Sequence, residues 1–503
     1  MTADCIIGVD IGTQGTKAAL HSHGGECLAE AFEPSNLIRP GAGMVEEDPE
    51  RQFASLLSVI RACMEKSGIE RARVACVAID GQMAGIIGVG GDGIAVTPYD
   101  SWLDTRCAPY IAQMRDQAGD AILKSTGNVP SFNHGPKILY WKAERPEIWE
   151  RVRAFVQPGG YTAMRLCGLS GDDAFIDYTY LHFSGFADNA AGRWNPDLCA
   201  EFGVPLSIFP RIVRPADIVG GVSAAHAAAC GLAEGTPVAA GLGDTAASFL
   251  SCGAVAEGIC VDVAGTASVF AATVGAFAPD TISGMMGCGR SAVPGLWHPY
   301  AYVNGGGMDL IWFSEQIAKM DFETLNALAS DLPRLDDDPW FLPHMEGRVM
   351  PAEPGMRGAW AGLMRSHGLG HMYRAILESV ALEYSLYLKA AAALHPGVAM
   401  EEVRATGGGS KNAAWNAIKS DALGLPIRTM RGSGGAPTGA AMVAAAAAGL
   451  AENVADIACA WARIDEETFP SHENLGYYRR RSERYERLLN LLGDFPGAPE
   501  EQR

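Results

Sequence analysis

Three short glycine-rich turns follow directly on apolar strand patterns: Gly12 to Thr16, Gly265 to Ser268 and Gly407 to Gly409. Backbone N–H groups in such turns can point at one oxyanion, because glycine leaves room for close approach and neighbouring hydroxyls add donors. One such turn alone is an ordinary tight turn. Three after strands point to anions held by backbone. Lys17 follows the first turn and either adds charge to it or is a solvated strand residue. Two acids stand at similar places. Asp10 ends the apolar run Cys5 to Val9, where it either caps the turn or orients a metal-bound water. Asp244, in Gly241-Leu242-Gly243-Asp244-Thr245-Ala246, is flanked by small residues, so a substrate can reach it, and it also suits a helix N-cap. His21 and His23 have no carboxylates alongside and read as solvated turn residues. The GxGxxG match at Gly88, Gly90 and Gly93 runs into Ile94-Ala95-Val96 with no helix behind it, so it reads as a turn between strands. GxxxxGK[ST], HExxH and GxSxG are absent, which argues against P-loop, zinc-protease and serine-hydrolase chemistry.

Positioning these residues takes a definite set of elements. Cys5 to Leu20 reads as strand, Gly/Thr turn, strand, and Cys27 to Phe32 supplies a third strand. Asp48 starts a helix whose apolar positions Phe53, Leu56, Leu57, Ile60 and Met64 recur at helical spacing, and Val74 to Asp80 returns as a buried strand. This order predicts a mixed sheet covered by helices. Gly258 to Phe270 repeats the opening pattern about half the chain later, which predicts two related domains, residues 1–252 and 253–503. A helix from His371 to Leu394, a strand at Val403 to Thr406, a helix from Asn412 to Leu423 and an Ala-rich helix from Thr438 to Ala447 complete the reading. No low-complexity linker separates the halves, which predicts a broad interface with a cleft.

The chain has 503 residues, more than one core accommodates. With 39 Lys plus Arg against 58 Asp plus Glu, a formal charge of -19 argues against nucleic-acid and anionic-membrane partners. Any anion must therefore be held locally. No stretch has the length and apolarity of a membrane span, and the N-terminus lacks a secretion signal, so the expectation is a soluble cytoplasmic protein. The 12 Cys are scattered singly, with no zinc spacing, as reduced thiols would be.

Several segments, in order, resemble the FGGY carbohydrate kinases: Gly8 to Lys17, Gly241 to Thr245, Trp297-His298 before Gly305-Gly306-Gly307, and Gly407 to Asp421. Gly358-Ala359-Trp360-Ala361-Gly362-Leu363, followed after seven residues by His371 to Ser379, is similar to that family's C-terminal signature. Gly81-Gln82-Met83, Trp102 to Arg106 and Gly295 to His298 look most like the xylulokinases within it. Ala84 stands where xylulokinases usually carry His, Thr245 where Asn is commoner, and Tyr140 where Trp is usual.

The resemblance implies an α/β fold of two actin-like ATPase (ribonuclease H-like) domains closing over an interdomain cleft, the first for sugar and the second for ATP. It implies transfer of the γ-phosphate of ATP to a sugar hydroxyl, with a pentulose such as xylulose as the expected acceptor. Another ketose or polyol (ribulose, erythritol, glycerol) is the alternative, and a non-kinase actin-like ATPase is the rival class. Asp244 would take the hydroxyl proton. Asp10 and Asp244 would hold Mg²⁺, directly or through water. Thr13, Gln14, Lys17, Gly265 and Thr266 would face phosphate oxygens, and Gly307, Gly408 and Asn412 would line the nucleotide. Gln82, Met83, Asp104 and Thr245 would line the sugar. A homodimer is left open.

Overall fold

The computed structural model describes residues 3–431 and 435–493. Contacts divide the chain into two units: one runs to Val255 and takes in Cys288–Trp297 and a later segment ending at Ala462, and the other holds the remainder. A single cut at residue 252 leaves out these two returns of the chain to the first unit.

In the first unit, β1 (Cys5–Ile11), β2 (Gly15–Ser22), β3 (Cys27–Pro34), β4 (Val74–Gly81), β5 (Ile218–Gly221) and β6 (Pro237–Gly243) form one sheet in the order β5-β6-β4-β1-β2-β3. β1 pairs antiparallel with β2 and parallel with β4, and β4 pairs parallel with β6. The predicted mixed sheet is therefore present. Side chains alternate between its faces. Ile7, Val9 and Ile11 pack with Phe53, Leu56 and Ile60 of the helix Pro49–Ser67, whose N-cap is Asp48. Ile6, Cys76 and Ala78 meet the helix Ala436–Ala447 on the other face. Because both faces are covered, β1 is apolar almost throughout rather than alternating.

The helix Ala436–Ala447 explains one return of the chain. It is nearly all Ala and Gly, so it lies flush on the sheet: a β-carbon at Gly8 would sit 1.9 Å from the Pro437 carbonyl oxygen, and one at Gly439 would sit 2.0 Å from that of Ala247. The packing inferred from its composition is thus realised against β1.

In the second unit, β7 (Ile259–Ala264), β8 (Ser268–Ala272), β9 (Trp297–Val303), β10 (Glu402–Thr406), β11 (Ile427–Met430) and β12 (Ile464–Thr468) run in the order β9-β8-β7-β10-β11-β12. β7 pairs antiparallel with β8 and parallel with β10, repeating the relation of β1 to β2 and β4. The sequence echo is therefore a topological repeat. The helices Leu369–Leu394 and Ala413–Leu423 pack together here. Both are tied to β7 through Asp262, which accepts from the Tyr384 hydroxyl at 2.6 Å and pairs with Lys419 at 2.5 Å. All three side chains are buried. Among the described residues no helix is long and apolar enough to cross a membrane.

His21 differs from its reading as a solvated residue. It is 2% exposed, stacks on Trp461 at 5.4 Å between ring centroids, and burial pushes its imidazole down to about 4. The partner lies 440 positions away, so nothing local in the sequence shows it. A histidine held neutral in the folded state and charged when unfolded removes stability as pH falls from about 6.5 towards 4. His134 and His298 are depressed to about 4 by burial in the same way. The transition temperature in scanning calorimetry should therefore fall between pH 7 and 5. His21→Phe, which keeps a stacking ring, should make that fall smaller, by removing a loss of stability on the order of 1–2 kcal/mol. An unchanged pH slope in the variant would remove His21 from this account.

Candidate functional site

Register brings acids together in the first unit. Asp10 is opposite Asp80 in the parallel pair of β1 and β4, and Gly81 is opposite Gly243, the residue before Asp244. Asp10 and Asp80 have the same parity as Ile6 and Cys76, so both carboxyls leave the sheet on the face that carries the helix Ala436–Ala447. The two are electrostatically coupled neighbours across the strand pair. Asp10 Oδ1 and both Asp80 oxygens find no hydrogen-bond partner among the described residues. Burial raises all three acids: Asp10 to about 6, Asp80 well above the usual range with the Asp10 and Asp244 charges adding to the effect, and Asp244 to about 7 with Asp10 contributing. Lys17 opposes this from its place across the hairpin from Asp10, although its ammonium is bound to Glu30 at 2.9 Å.

The backbone holds Asp244 from several sides. The Gly243 N–H donates to Thr179 Oγ1 at 2.9 Å, and the Tyr180 hydroxyl donates to the carbonyls of Gly81 and Leu242, tying the ends of β4 and β6. Thr245 donates to Asp244 Oδ1 through its N–H at 2.5 Å and its hydroxyl at 3.1 Å. Met83 lies across Gly243, where a β-carbon would meet its Cε at 2.5 Å, so Met83 flanks the acid. Asp244 itself opens the helix Asp244–Ser251 at its first turn, with Gly243 as N-cap.

A polar chain adjoins the first turn. Thr13 Oγ1 donates to Gln82 Oε1 at 3.3 Å and accepts from Trp102 Nε1 at 2.9 Å, while Gln82 Nε2 donates to Glu47 at 3.2 Å. Thr13 is therefore linked to the residues expected to line the sugar. Gln14 is exposed. Asp104 is elsewhere engaged: with no exposed surface, its carboxylate accepts from the Val45 N–H at 2.7 Å and from Arg106 Nη2 at 2.6 Å. It anchors the loop that carries Trp102, and its oxygens are not open to a ligand.

In the second unit the glycine turns converge around the end of β7. A β-carbon at Gly307 would lie 2.2 Å from the Gly265 carbonyl oxygen, and one at Gly407, at φ 90°, would lie 2.6 Å from that of Ala264. Only glycine fits such close approach of backbones. Gly408 differs, since no atom lies within 4 Å of the position its β-carbon would take. Thr266 is exposed at the hairpin tip. The Gly265 N–H turns inward to the carbonyls of Val263 and Ala267, at 3.0 Å each. Asn412 caps the helix Ala413–Leu423: its Oδ1 accepts from the Trp415 N–H at 3.1 Å and its Nδ2 donates to Asn326.

Residues 5–251 match the N-terminal domain, and residues 263–448 the C-terminal domain, of the FGGY family of carbohydrate kinases. The chain belongs to that family. It is 25% identical over 497 residues to the xylulose kinase of Bacillus subtilis strain 168, with 98% of each chain covered, and 26% identical over 491 residues to that of Escherichia coli K12, with 97% and 99% covered. The crystal structure of a xylulose kinase from Rhodospirillum rubrum is similar with a TM-score of 0.89 and 27% identity, covering 98% of this chain and 99% of that one. The fold is the two-domain, actin-like FGGY kinase fold.

For a carbohydrate kinase, the sequence reading missed Asp80. Its signal was present as an acid ending a buried strand, the same pattern as Asp10. Among the described residues no group of three or more His, Cys, Asp or Glu side chains is placed to hold a metal ion.

The open space at Gly408 makes a clean test of the third turn. Gly408→Val should fold normally, because its side chain enters empty space. If the turn carries nucleotide phosphates, calorimetric titration should show ATP affinity falling at least about tenfold, on the order of 1.4 kcal/mol, with sugar affinity unchanged. Equal loss of both would take the turn out of nucleotide binding.

Proposed function

We propose that this kinase transfers the γ-phosphate of ATP to a hydroxyl of a pentulose, with D-xylulose as the first candidate, and that Asp244 is the general base. The observation that carries this reading is the convergence of Asp10, Asp80 and Asp244, with Asp244 raised to about 7 and still partly open to solvent. An alcohol is a poor nucleophile, and a base matched to the working pH takes its proton as the oxygen attacks phosphorus. Met83 beside Asp244 offers an apolar wall and the exposed Trp102 an indole ring to a polyhydroxyl substrate, while Gln82, buried and bonded to Thr13 and Glu47, holds the wall in place. Asp104 acts in this reading as the anchor of the Trp102 loop.

The donor set fits a divalent cation. Asp10 Oδ1 and the Asp80 oxygens are buried acceptors without partners, and burial raises both acids. Asp10 and Asp244 would hold Mg²⁺ through water, since no cluster for direct ligation by the protein is present among the described residues. The ion, when bound with ATP, supplies charge that offsets the phosphate oxygens. Gly307, Gly408 and the exposed Thr266 offer backbone and hydroxyl contacts to the nucleotide, while Asn412 fixes the helix behind the third turn. The relatives named above act on xylulose, which supports the substrate class.

Asp244→Asn keeps the shape but cannot accept the proton, so sugar-dependent ADP release should fall on the order of 10² to 10⁴-fold with ATP binding retained. In the native enzyme kcat/KM should fall as pH drops through about 7. The same raised pKa means the folded state binds the proton more tightly than the unfolded state, so the ionised acid costs stability above pH 7. Asp244→Asn should therefore raise the transition temperature at pH 8. A variant with native turnover would remove Asp244 from the role.

Ala84 is the specific observation in favour of a different ketose or polyol, since a side chain with no hydrogen-bonding atom stands where relatives of the xylulokinase type carry imidazole. On this second reading, and not on the first, a comparison of kcat/KM for D-xylulose, D-ribulose, L-ribulose and polyols would show the native enzyme preferring another sugar and Ala84→His gaining relative activity on D-xylulose. If D-xylulose is already preferred and the variant changes nothing, the position does not set specificity.

A further inference from the structure

The first unit contains a cavity of about 520 Å³ lined entirely by its own residues and built around two arginines, Arg290 and Arg214. Arg290 is pinned in place. Its Nε and Nη2 donate to the carbonyls of Asn189 at 3.0 Å and Ala190 at 2.7 Å, and its guanidinium lies over the rings of Tyr178 and Trp297 at 5.2 and 4.9 Å. These contacts leave Nη1 without a protein acceptor among the described residues. Arg214, whose side chain is 73% exposed, pairs with Asp217 through Nε at 2.9 Å and Nη2 at 2.8 Å, a looser hold than that on Arg290, and it too keeps Nη1 for a ligand. Asp217 also accepts from the Arg214 N–H, so both of its oxygens are used. In a chain of formal charge -19, a cavity whose side-chain charges are two guanidiniums and one engaged carboxylate is a local reversal of sign.

We propose that this cavity binds a small organic phosphate, at a site separate from the Asp10, Asp80 and Asp244 cluster. A phosphate is favoured over a carboxylate because three terminal oxygens can serve two separate guanidiniums, whereas a carboxylate is satisfied by one. An ester is favoured over free phosphate because Ile212, Val213 and Val293 give the cavity an apolar wall beside the arginines. The volume falls within the range of small-molecule sites. Arginines fixed by backbone carbonyls, aromatic rings and an aspartate lose little freedom when a ligand arrives.

The test is calorimetric titration of the full chain with ribose 5-phosphate under saturating ADP, so that the nucleotide turns cannot take the phosphate. Ribose, malate and inorganic phosphate are titrated in parallel. Arg214→Gln and Arg290→Gln should each weaken ester binding by about tenfold or more. Ala191→Glu, which removes no contact and adds a negative charge at the exposed rim, should do the same and guards against misfolding of the arginine variants. kcat/KM for ATP and sugar should stay unchanged in all three, which separates this site from the catalytic reading. The proposal is overturned if the ester does not bind, if binding is equal in all three variants and the native protein, or if inorganic phosphate or malate binds as tightly as the ester.

Discussion

Three carboxyl groups at the ends of β1, β4 and β6 share a largely buried corner in which, among the described residues, none forms an ion pair with a cation. Burial raises all three acids, and like charges at this range add to the effect, so Asp80 lies well above the usual carboxylate range and Asp244 is pushed to about 7. The second unit shows what the alternative looks like. Asp262, on the strand that corresponds to β1, is fully buried, and it is paired with Lys419 and bonded to Tyr384. That acid is a structural tie. The same hairpin topology therefore serves a neutralised acid in one unit and an unneutralised one in the other, and only the second leaves oxygens free for chemistry.

Holding the corner open requires that everything around it be fixed. Alternation in the sheet puts Asp10 and Asp80 on one face, and the β4 to β6 register brings Asp244 to the same end. That face is covered by a helix whose alanines and glycines bring its backbone against Gly8 and Ala247. Larger side chains would lift the helix from the sheet and admit water, lowering the acids' affinity for protons. The small-residue packing and the raised pKa values are thus one arrangement seen at two scales, since low dielectric around the carboxyls depends on the close fit behind them.

Much of this was legible in the sequence because it is local. The hairpins, the helix begun by Asp48 and the repeat at half the chain length follow from periodicity and turn residues. Asp10, Asp244 and the glycine turns stand out by type and position. What was not legible depends on pairing over long separations. Asp80 becomes part of the site only through its register with Asp10. His21 is buried by Trp461, and the chain's return to the first unit depends on contacts with Gly8. Asp104 was assigned to the sugar by likeness, but its carboxylate is consumed by Arg106 and Val45. Only Thr105 separates it from Arg106, yet spacing alone does not say that the loop folds the guanidinium back onto it.

The division of labour between the units follows from charge. A triphosphate approaching an acidic protein is repelled by the mean field, and an acid cluster would add to that repulsion. If the second unit takes the nucleotide, as proposed above, its glycine turns offer backbone at close range, while its buried Lys419 is already paired with Asp262. The first unit can afford three acids because its expected substrate is uncharged and because a base of pKa about 7 is neutral part of the time at physiological pH. A lysine beside Asp244 would remove that property: it would depress the carboxyl, weaken it as a base, and make the site resemble the silent pair of Asp262 and Lys419. Among the described residues no cation is ion-paired at the corner, and it is this, with burial and the nearby Asp10 charge, that leaves the Asp244 carboxyl raised to about 7.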